Sequence, residues 1–300
     1  MDDYVKKLTE SLTECDFYGA MDLILDGGAF NGSYHVGVLY YISNLEDKQK
    51  IVIKRVSTCS IGSIVGLLFL IKKLNCFEEV YQMIMPHFKQ TALFEKVLDL
   101  GSYLEKHIPD NVLQLVNKRL FITYYNILKS RKIVKCTFKS KHELLECIIK
   151  SCFLPFIMNG NVFYKGRFFD GLTPYLLPRK QKNNRMYIDL YGTDKISNVL
   201  NIKNEKSNIH RVFIGALDVH LFFMKGYETQ MCSYVNDWGI VNNLKYQIKM
   251  GIETIVYYLL LLIYMISKYL NHKSINKYKS GFLKRLLHFV YMEYMNTYNL

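Results

Sequence analysis

Ser60 stands in a setting that could make a serine hydroxyl a nucleophile. The segment Thr58-Cys59-Ser60-Ile61-Gly62 lies between a β-branched run, which predicts a strand, and an apolar run, which predicts a helix. A sharp strand-to-helix turn pushes its serine out of the sheet edge, and the helix N-terminus favours negative charge there. Such turns usually read G-x-S-x-G, so Gly62 fits the pattern and Thr58 departs from it.

A glycine-rich turn at 26–32, Asp-Gly-Gly-Ala-Phe-Asn-Gly, could hold negative charge. It follows the apolar run 21–25, which predicts a short buried strand, and it precedes a helical pattern. Backbone N–H groups at the start of such a helix suit an anion. The glycine spacing does not match the G-x-G-x-x-G of a dinucleotide site, whereas an oxyanion hole needs only two or three fixed donors. For this segment alone, a glycine turn kept for packing is the alternative.

Asp170 is the acid that could complete such a site. It is followed by Gly171 and comes directly after the segment 162–169, where a Lys-Gly turn between aromatic residues predicts a hairpin. An aspartate before a glycine is ordinarily a turn residue. Its place after both the serine turn and the glycine-rich turn makes it a candidate base.

These three segments need a scaffold that brings strand ends together. Strand, glycine turn, helix, strand, tight turn and helix is the order typical of a parallel α/β layer. A capping box at Ser140–Glu143 predicts the start of a helix that ends near residue 152. Further strands are predicted at 133–138, 186–190 and 212–216, and further helices at 3–14, 77–85, 91–98 and 111–116, with breaks at Pro86 and Pro109.

The composition is that of a folded, basic chain. Of its 300 residues half are hydrophobic and 22% are charged, which excludes wholesale disorder. The 39 Lys and Arg against 26 Asp and Glu give a formal charge of +13. An acidic membrane face, a nucleic acid or a merely soluble basic surface could account for that charge. Because no nucleic-acid motif is recognisable, we expect no nucleic-acid partner.

The cysteines and the N-terminus predict an intracellular, cytoplasmic protein. Seven cysteines are scattered without a C-x-x-C pair, so neither a zinc site nor a redox motif is predicted. Free thiols in a reducing compartment are the plainest interpretation, and Cys59 is expected to be a buried core thiol rather than a nucleophile. The charged N-terminus lacks the apolar run of a secretory signal.

Taken in order, the three segments resemble the motifs of the patatin-like phospholipase family. Residues 27–38 look like its oxyanion loop, Ser60 matches its nucleophile, and Asp170-Gly171 matches the D-G-[GA] motif of its second dyad residue. The resemblance runs from about residue 20 to about residue 236. The motifs are most similar in style to those of the animal lipase branch, and a viral member of the family is a further alternative.

The chain departs from the family pattern at four positions. Thr58 replaces the first glycine of the serine turn, Ala29 replaces a loop glycine, and Leu172 follows Asp170-Gly171. Asn31 stands where many members carry a basic residue. Ala29 matters only if the turn needs a positive φ there, since alanine disfavours that conformation.

The resemblance implies an α/β, three-layer patatin-like fold with a mainly parallel central sheet, a serine nucleophile elbow and a helical C-terminal extension. It implies a lipid acyl hydrolase of phospholipase A or lipase type, acting through an acyl-enzyme with Ser60 as nucleophile and Asp170 as base. No metal or cofactor is implied. The expected partners are a lipid or phospholipid substrate and a membrane or lipid-droplet surface. The implied oxyanion donors are the N–H groups of Gly27, Gly28, Ala29 and Ile61, and the supporting motif glycines are Gly32, Gly62 and Gly171.

Two alternatives stay open beside this interpretation. Thr58 suggests a catalytically silent patatin-like protein that keeps the fold and binds lipid or membrane without turnover. A Ser-His-Asp triad is the less favoured mechanism, because the eight histidines have no fixed relation to Ser60 in the sequence. His35 follows the glycine-rich turn and is expected to be a packing or surface residue.

The C-terminal region differs from the rest of the chain, and we divide the sequence into an N-terminal helix (1–19), an acyl hydrolase domain (20–236) and a basic, apolar helical region (237–300). From Thr254 to Met292 there is no acidic residue. The uncharged stretch 254–267 is 14 residues, or roughly 21 Å of helix, which is short of a roughly 30 Å hydrocarbon core. A peripheral membrane helix or a packed helix is therefore favoured, with a single C-terminal membrane span as the alternative.

Overall fold

The computed structural model describes residues 2–12, 19–179, 183–192, 195 and 199–269, together with 285, 289 and 292. The strands in these ranges are β1 (Gly19–Leu25), β2 (Ile51–Cys59), β3 (Leu120–Asn126), β4 (Arg131–Lys135), β5 (Phe168–Asp170), β6 (Asn184–Ile188) and β7 (Cys232–Tyr234). The helices are α1 (Asp2–Glu10), α2 (Gly32–Asp47), α3 (Ile61–Leu70), α4 (Cys76–Thr91), α5 (Leu100–His107), α6 (Val112–Val116), α7 (Lys141–Cys152), α8 (Ile209–Lys225) and α9 (Ile240–Tyr269). Most of the basic segment predicted up to Met292 lies outside the described residues.

The described strands form one mixed sheet of seven strands in the order β4-β3-β2-β1-β6-β7. The four inner strands β3, β2, β1 and β6 run parallel to one another, as the strand-turn-helix pattern predicts. The outer strands β4 and β7 pair antiparallel with their neighbours. β5 also pairs antiparallel with β3, and this pairing sets the position of Asp170.

Helices flank the sheet, consistent with a three-layer α/β fold with an added C-terminal helix. α2 packs against α8 and α1, while α3 packs against α4, α6 and α7. The α2–α8 contact is backbone to backbone: a Cβ at Gly37 would collide with the Val212 carbonyl, and one at Gly215 with the Tyr34 carbonyl. The core between these layers is lined by the buried aliphatic and aromatic residues of β1, β2, α2 and α3.

The structure confirms two local predictions, the capping box and the hairpin. The Ser140 hydroxyl accepts a hydrogen bond from the Glu143 N–H at 3.1 Å, as a capping residue should. The hairpin before Asp170 has its turn at Lys165 and Gly166, which have φ of 48° and 69°, and Tyr164 bridges to Phe168.

Three local predictions are wrong. Residues 212–216 belong to α8 rather than to a strand, because Val212, Ala216 and Val219 lie on one buried helical face. Pro86 does not end a helix but lies inside α4. Of the helix predicted at 91–98, the structure has only a short 3₁₀ turn at Glu95–Asp99.

Candidate active site

Ser60 lies at the sharp turn between β2 and α3. Its backbone has φ 50° and ψ −132°, a conformation that non-glycine residues rarely adopt and that costs of order 1–3 kcal/mol. Gly62 makes this turn sterically feasible, because a Cβ there would lie 2.9 Å from the Asp26 carbonyl oxygen and 3.0 Å from that of Leu25. The predicted serine elbow is therefore present, with Ser60 at the N-terminus of α3.

Thr58 fits its place in the elbow. Its side chain is fully buried, and its methyl group faces Gly66, where a Cβ would come within 2.8 Å of it. Its hydroxyl lies 3.0 Å from the Phe121 carbonyl oxygen and 3.1 Å from Ser63 Oγ, and it can donate to either. The departure from the family's glycine is thus balanced by a glycine on the facing helix and by a polar partner.

Ser151, at the end of α7, holds the Ser60 backbone, a role that the sequence did not reveal. The Ser60 N–H donates to Ser151 Oγ at 2.9 Å, and the Ser151 hydroxyl donates to the Thr123 carbonyl at 2.7 Å. Ser63 Oγ lies 3.0 Å from Ser151 Oγ. This buried network fixes the amide of the strained residue, so that amide is committed and does not face a ligand.

The pairing of β3 brings Asp170 to the end of β2. Along one edge of β3, Thr123 pairs with Cys59 of β2, and the next residue, Tyr124, pairs with Asp170 of β5. Asp170, at the end of β5, therefore lies next to the end of β2, where Ser60 follows Cys59. Gly171 allows this approach, since a Cβ there would collide with the Thr123 carbonyl.

The Asp170 carboxylate is buried and only half satisfied. The side chain is 1% exposed, and Oδ1 accepts the Leu172 N–H at 2.7 Å. Oδ2 makes no hydrogen bond of regular geometry within the described part of the chain. Burial raises the pKa of Asp170 from 3.8 to about 7, although the nearby Ser60 hydroxyl and the Leu172 N–H lower it. An aspartate with this pKa can accept a proton near neutral pH.

The glycine-rich turn presents backbone N–H groups beside the elbow. Gly28 has φ 148° and Ala29 has φ 45°, so the turn does require a positive φ at the alanine. Within the described residues, no hydrogen bond engages the amides of Gly28, Ala29 or Ile61. The Gly27 N–H instead donates to Asp26 Oδ1 at 2.9 Å, and Gly32 leaves room for the Ile61 side chain. Gly27 can act as an oxyanion donor only by giving up or sharing that bond.

Asn31 anchors the turn from beneath. Its Oδ1 accepts a hydrogen bond from Arg211 at 2.6 Å, and its Nδ2 donates to the carbonyls of Leu190 and Lys195. Arg211 is itself fully buried and pairs with Glu205. A guanidinium from α8 thus lies behind the position where many family members carry a basic residue.

The sequence comparison decides the family. The patatin-like phospholipase family model matches residues 23–189, more than half of the chain, and this stretch includes the glycine-rich turn, Ser60 and Asp170. The chain belongs to the patatin-like phospholipase family. No curated protein matches the sequence. Members of this family are typically lipid hydrolases, and the family implies lipid substrates.

An apolar pocket opens at Ser60 of this patatin-like domain. It encloses about 490 Å³ including its open mouth. Its walls are aliphatic and aromatic, and they come from the glycine-rich turn, α3, α4, the 3₁₀ turn after α4 and the segment that follows α7. The lining residues include Phe30, Ile61, Ile64, Phe77, Val80, Ile84, Phe94 and Leu154. A pocket of this chemistry beside a serine suits a hydrocarbon chain.

Two other residues near Ser60 have structural surroundings. Cys59 is fully buried, and burial raises the pKa of its thiol well above 9.0, which leaves it an inert thiol as predicted. His35 is also buried, and burial lowers its pKa to about 3, so the ring is neutral and its Nε2 donates to the Asp26 carbonyl at 2.8 Å. Among the described residues, no cluster of three or more His, Cys, Asp or Glu side chains is placed to hold a metal.

Proposed function

We propose that this patatin-like protein hydrolyses carboxylic esters of lipids, as a phospholipase A or lipase, with Ser60 as nucleophile and Asp170 as base. The observation that carries the proposal is the strained Ser60 turn beside a buried aspartate whose pKa is about 7. A strained turn exposes the hydroxyl, and a buried carboxylate is basic enough to take its proton. The apolar pocket at Ser60 supports an acyl chain as the part of the substrate next to the scissile bond.

The reaction follows from these groups in two steps. Ser60 Oγ attacks the ester carbonyl carbon while its proton passes to Asp170, and the developing oxyanion accepts hydrogen bonds from Gly28, Ala29 and Ile61. Collapse of this intermediate breaks the bond to the alcohol oxygen, which receives the proton from Asp170. A water molecule then attacks the acyl-enzyme while Asp170 takes a proton from that water. The bond between the acyl carbon and Ser60 Oγ breaks, Asp170 returns the proton to Oγ, and the fatty acid leaves.

Serine-directed labelling and ester hydrolysis test the dyad. Wild-type protein should react with a fluorophosphonate and release fatty acid from phospholipid vesicles, whereas Ser60→Ala should do neither. Asp170→Asn should also lose hydrolysis, and the double variant should be hardly worse than either single one, because the two groups act as a unit. The matched controls are Ser43→Ala and Asp99→Asn. Both residues lie at the surface, where Ser43 accepts a hydrogen bond from Lys72 and Asp99 pairs with Lys96. Undiminished hydrolysis in Ser60→Ala would refute the assignment.

A catalytically silent lipid-binding protein is the second candidate. The positive φ of Ala29 favours it, because an oxyanion loop held by a strained alanine differs from the glycine loop of the family. The same labelling experiment separates the candidates: a folded wild-type protein that binds lipid vesicles but neither reacts with the fluorophosphonate nor releases fatty acid is the silent form.

Peripheral association with a lipid surface is part of the proposal. α9 contains one segment, Ile240–Ile266, long and apolar enough to cross a membrane, and only 11% of its most apolar window is buried. In the structure, however, polar side chains of α9 contact the sheet, so this helix lies along the domain. Its outward face carries exposed apolar residues at helical spacing, namely Ile240, Leu244, Ile248, Ile252, Ile255, Leu259 and Leu262.

Vesicle binding by the full chain tests this surface. Replacing Ile248, Ile252 and Ile255 with glutamine should lower the fraction that co-sediments with anionic vesicles, because the face that enters the headgroup region loses apolar area. Leu217→Gln with Leu221→Gln, on the exposed face of α8, is the control. Equal co-sedimentation of the α9 variant and wild type would remove α9 from the lipid contact.

A further inference from the structure

α9 contacts the candidate active site through two residues one helical turn apart. Lys249 and Glu253 lie on the side of α9 that faces the sheet, and their side chains are 20% and 1% exposed. Both lie beyond residues 23–189, the stretch that the family model matches. Each contacts a different segment of the site.

Lys249 binds the acid that orients the glycine-rich turn. Its Nζ forms an ion pair with Asp26 Oδ2 and lies 3.1 Å from the Tyr187 hydroxyl, which itself donates to the same Asp26 oxygen at 3.0 Å. Asp26 is fully buried, and its other oxygen accepts the Gly27 N–H. The direction of the peptide at the start of the oxyanion turn therefore depends on a carboxylate that Lys249 and Tyr187 hold in place, although burial lowers the pKa of Lys249 to about 7.

Glu253 binds the segment that follows Asp170. Its carboxylate accepts hydrogen bonds from the hydroxyls of Thr173 and Tyr125 and pairs with Lys132 Nζ at 2.7 Å. Thr173 lies three residues after Asp170. Tyr125 lies on β3, opposite the residue that precedes Asp170, and its ring stacks on that of Phe169. The backbone on both sides of Asp170 is thus tied to one residue of α9.

We propose that Lys249 and Glu253 are positioning residues for ester hydrolysis, which together hold the oxyanion turn and the Asp170 segment in register. The inference rests on the proposed function, in which these two segments act on one carbonyl group. Two side chains one turn apart on a rigid helix fix the separation of what they bind, and misplacement of a catalytic group by about 1 Å can cost about 100-fold in rate. Neither residue touches Ser60, so both act through the groups that they bind.

The charges around Asp170 give Glu253 a second, measurable effect. Glu253 raises the pKa of Asp170 and Lys132 lowers it, because one repels the carboxylate and the other attracts it. Other titratable groups that interact with Asp170 are Cys59 on β2, Cys152 on α7 and Tyr191 after β6, and burial raises the pKa of each. Glu253 and Lys132 are thus the two acidic or basic side chains that act on the pKa of Asp170 in opposite directions.

The role of Lys249 is tested on a water-soluble short-chain nitrophenyl ester, so that binding to a lipid surface plays no part. Lys249→Met should lower kcat about 10- to 100-fold with little change in KM, and Lys249→Arg should restore most of the loss. Lys245→Met, one turn earlier at an exposed position of α9, is the matched control and should behave as wild type. Equal kcat in wild type and Lys249→Met would overturn the positioning role of Lys249.

The role of Glu253 is tested by the pH dependence of kcat/KM. Glu253→Gln should move the acid limb to lower pH, whereas Lys132→Met should move it to higher pH. Loss of packing alone would not produce shifts of opposite sign from two residues that bind each other. Glu228→Gln, with an exposed hydrogen-bonded partner, is the control. Acid limbs that coincide in all four proteins would overturn the inference for Glu253.

Two results keep the inference separate from the proposed function. If wild type shows no turnover, the proposed function fails, and the pKa of Asp170 is then measured from the pH dependence of stability relative to Asp170→Asn. That pKa must still fall in Glu253→Gln and rise in Lys132→Met, or the inference fails as well. If Lys249→Met does not fold, Lys249→Arg decides: full activity in it supports an ion-pair role, and a loss as large as that of Ser60→Ala contradicts it.

Discussion

Replacing Asp170 with asparagine should stabilise the protein at neutral and alkaline pH, although it removes the proposed base. The pKa of Asp170 is raised from 3.8 to about 7 by burial of the carboxylate. Between these two values the folded protein holds a proton that the unfolded chain has already released. The free energy of unfolding of the wild type therefore falls as pH rises through this range, and the loss is complete above about pH 7.

The magnitude follows from the same two values. The difference between 3.8 and about 7 corresponds to about 4 kcal/mol, because one pKa unit is worth about 1.4 kcal/mol. Asparagine keeps an oxygen for the Leu172 N–H and does not ionise. The unfolding free energy of Asp170→Asn minus that of wild type should thus grow by up to about 4 kcal/mol from about pH 4 to about pH 8.

Urea denaturation at several pH values measures this difference directly. Titrating groups that do not interact with Asp170 contribute equally in the two proteins and cancel when one curve is subtracted from the other. Asp99→Asn, at an exposed position paired with Lys96, is the control and should give a nearly flat difference. A difference for Asp170→Asn that does not change with pH would show that Asp170 is not a desolvated carboxyl group. Burial would then not make Asp170 basic enough to accept the Ser60 proton.

Three further predictions follow from the site. Ser151→Ala should lower the free energy of unfolding by about 1–3 kcal/mol and slow the labelling of Ser60, because the buried Ser60 N–H loses its acceptor. Urea denaturation and labelling kinetics measure these two effects, and an unchanged labelling rate would contradict the prediction. Ala29→Gly should raise the free energy of unfolding, measured in urea, by up to about 1 kcal/mol. The strain relieved at the positive φ exceeds the cost of the conformational entropy that glycine adds to the unfolded chain, and a lower free energy of unfolding would contradict this. Hydrolysis should persist in a chelator, and activity that returns only when calcium is added would contradict the metal-free mechanism.

The elements that carry the site could be predicted because their patterns are local. A β-branched run followed by Ser60 and an apolar run specifies a strand, a turn and a helix within about twenty residues. The order of the turns then indicates which segments meet, since the carboxyl ends of parallel strands lie at one edge of a sheet. The position of Asp170 is less apparent from the sequence, because β5 is a strand of only three residues and its place in the sheet depends on pairing with β3.

Features that depend on distant contacts could not be predicted. Ser151 is one of several serines in the sequence, and nothing near it indicates that its hydroxyl binds the Ser60 amide 91 residues away. Residues 212–216 contain β-branched residues and read as a strand, but contact with α2 favours a helix, and Gly215 is needed there for that contact. Local propensity is a weak signal wherever tertiary packing decides the conformation.

Two of the departures from the family pattern, Ala29 and Leu172, have the same kind of backbone conformation. Both residues have positive φ, 45° and 57°, at positions where the family pattern has glycine or another small residue. Leu172 is held in this conformation by the hydrogen bond from its N–H to Asp170 Oδ1. That same bond occupies Oδ1 and leaves Oδ2 as the oxygen available to Ser60. The strain of about 1–2 kcal/mol at Leu172 is therefore linked to the orientation of the carboxylate, because the turn that is unfavourable for leucine also directs the side chain of the proposed base.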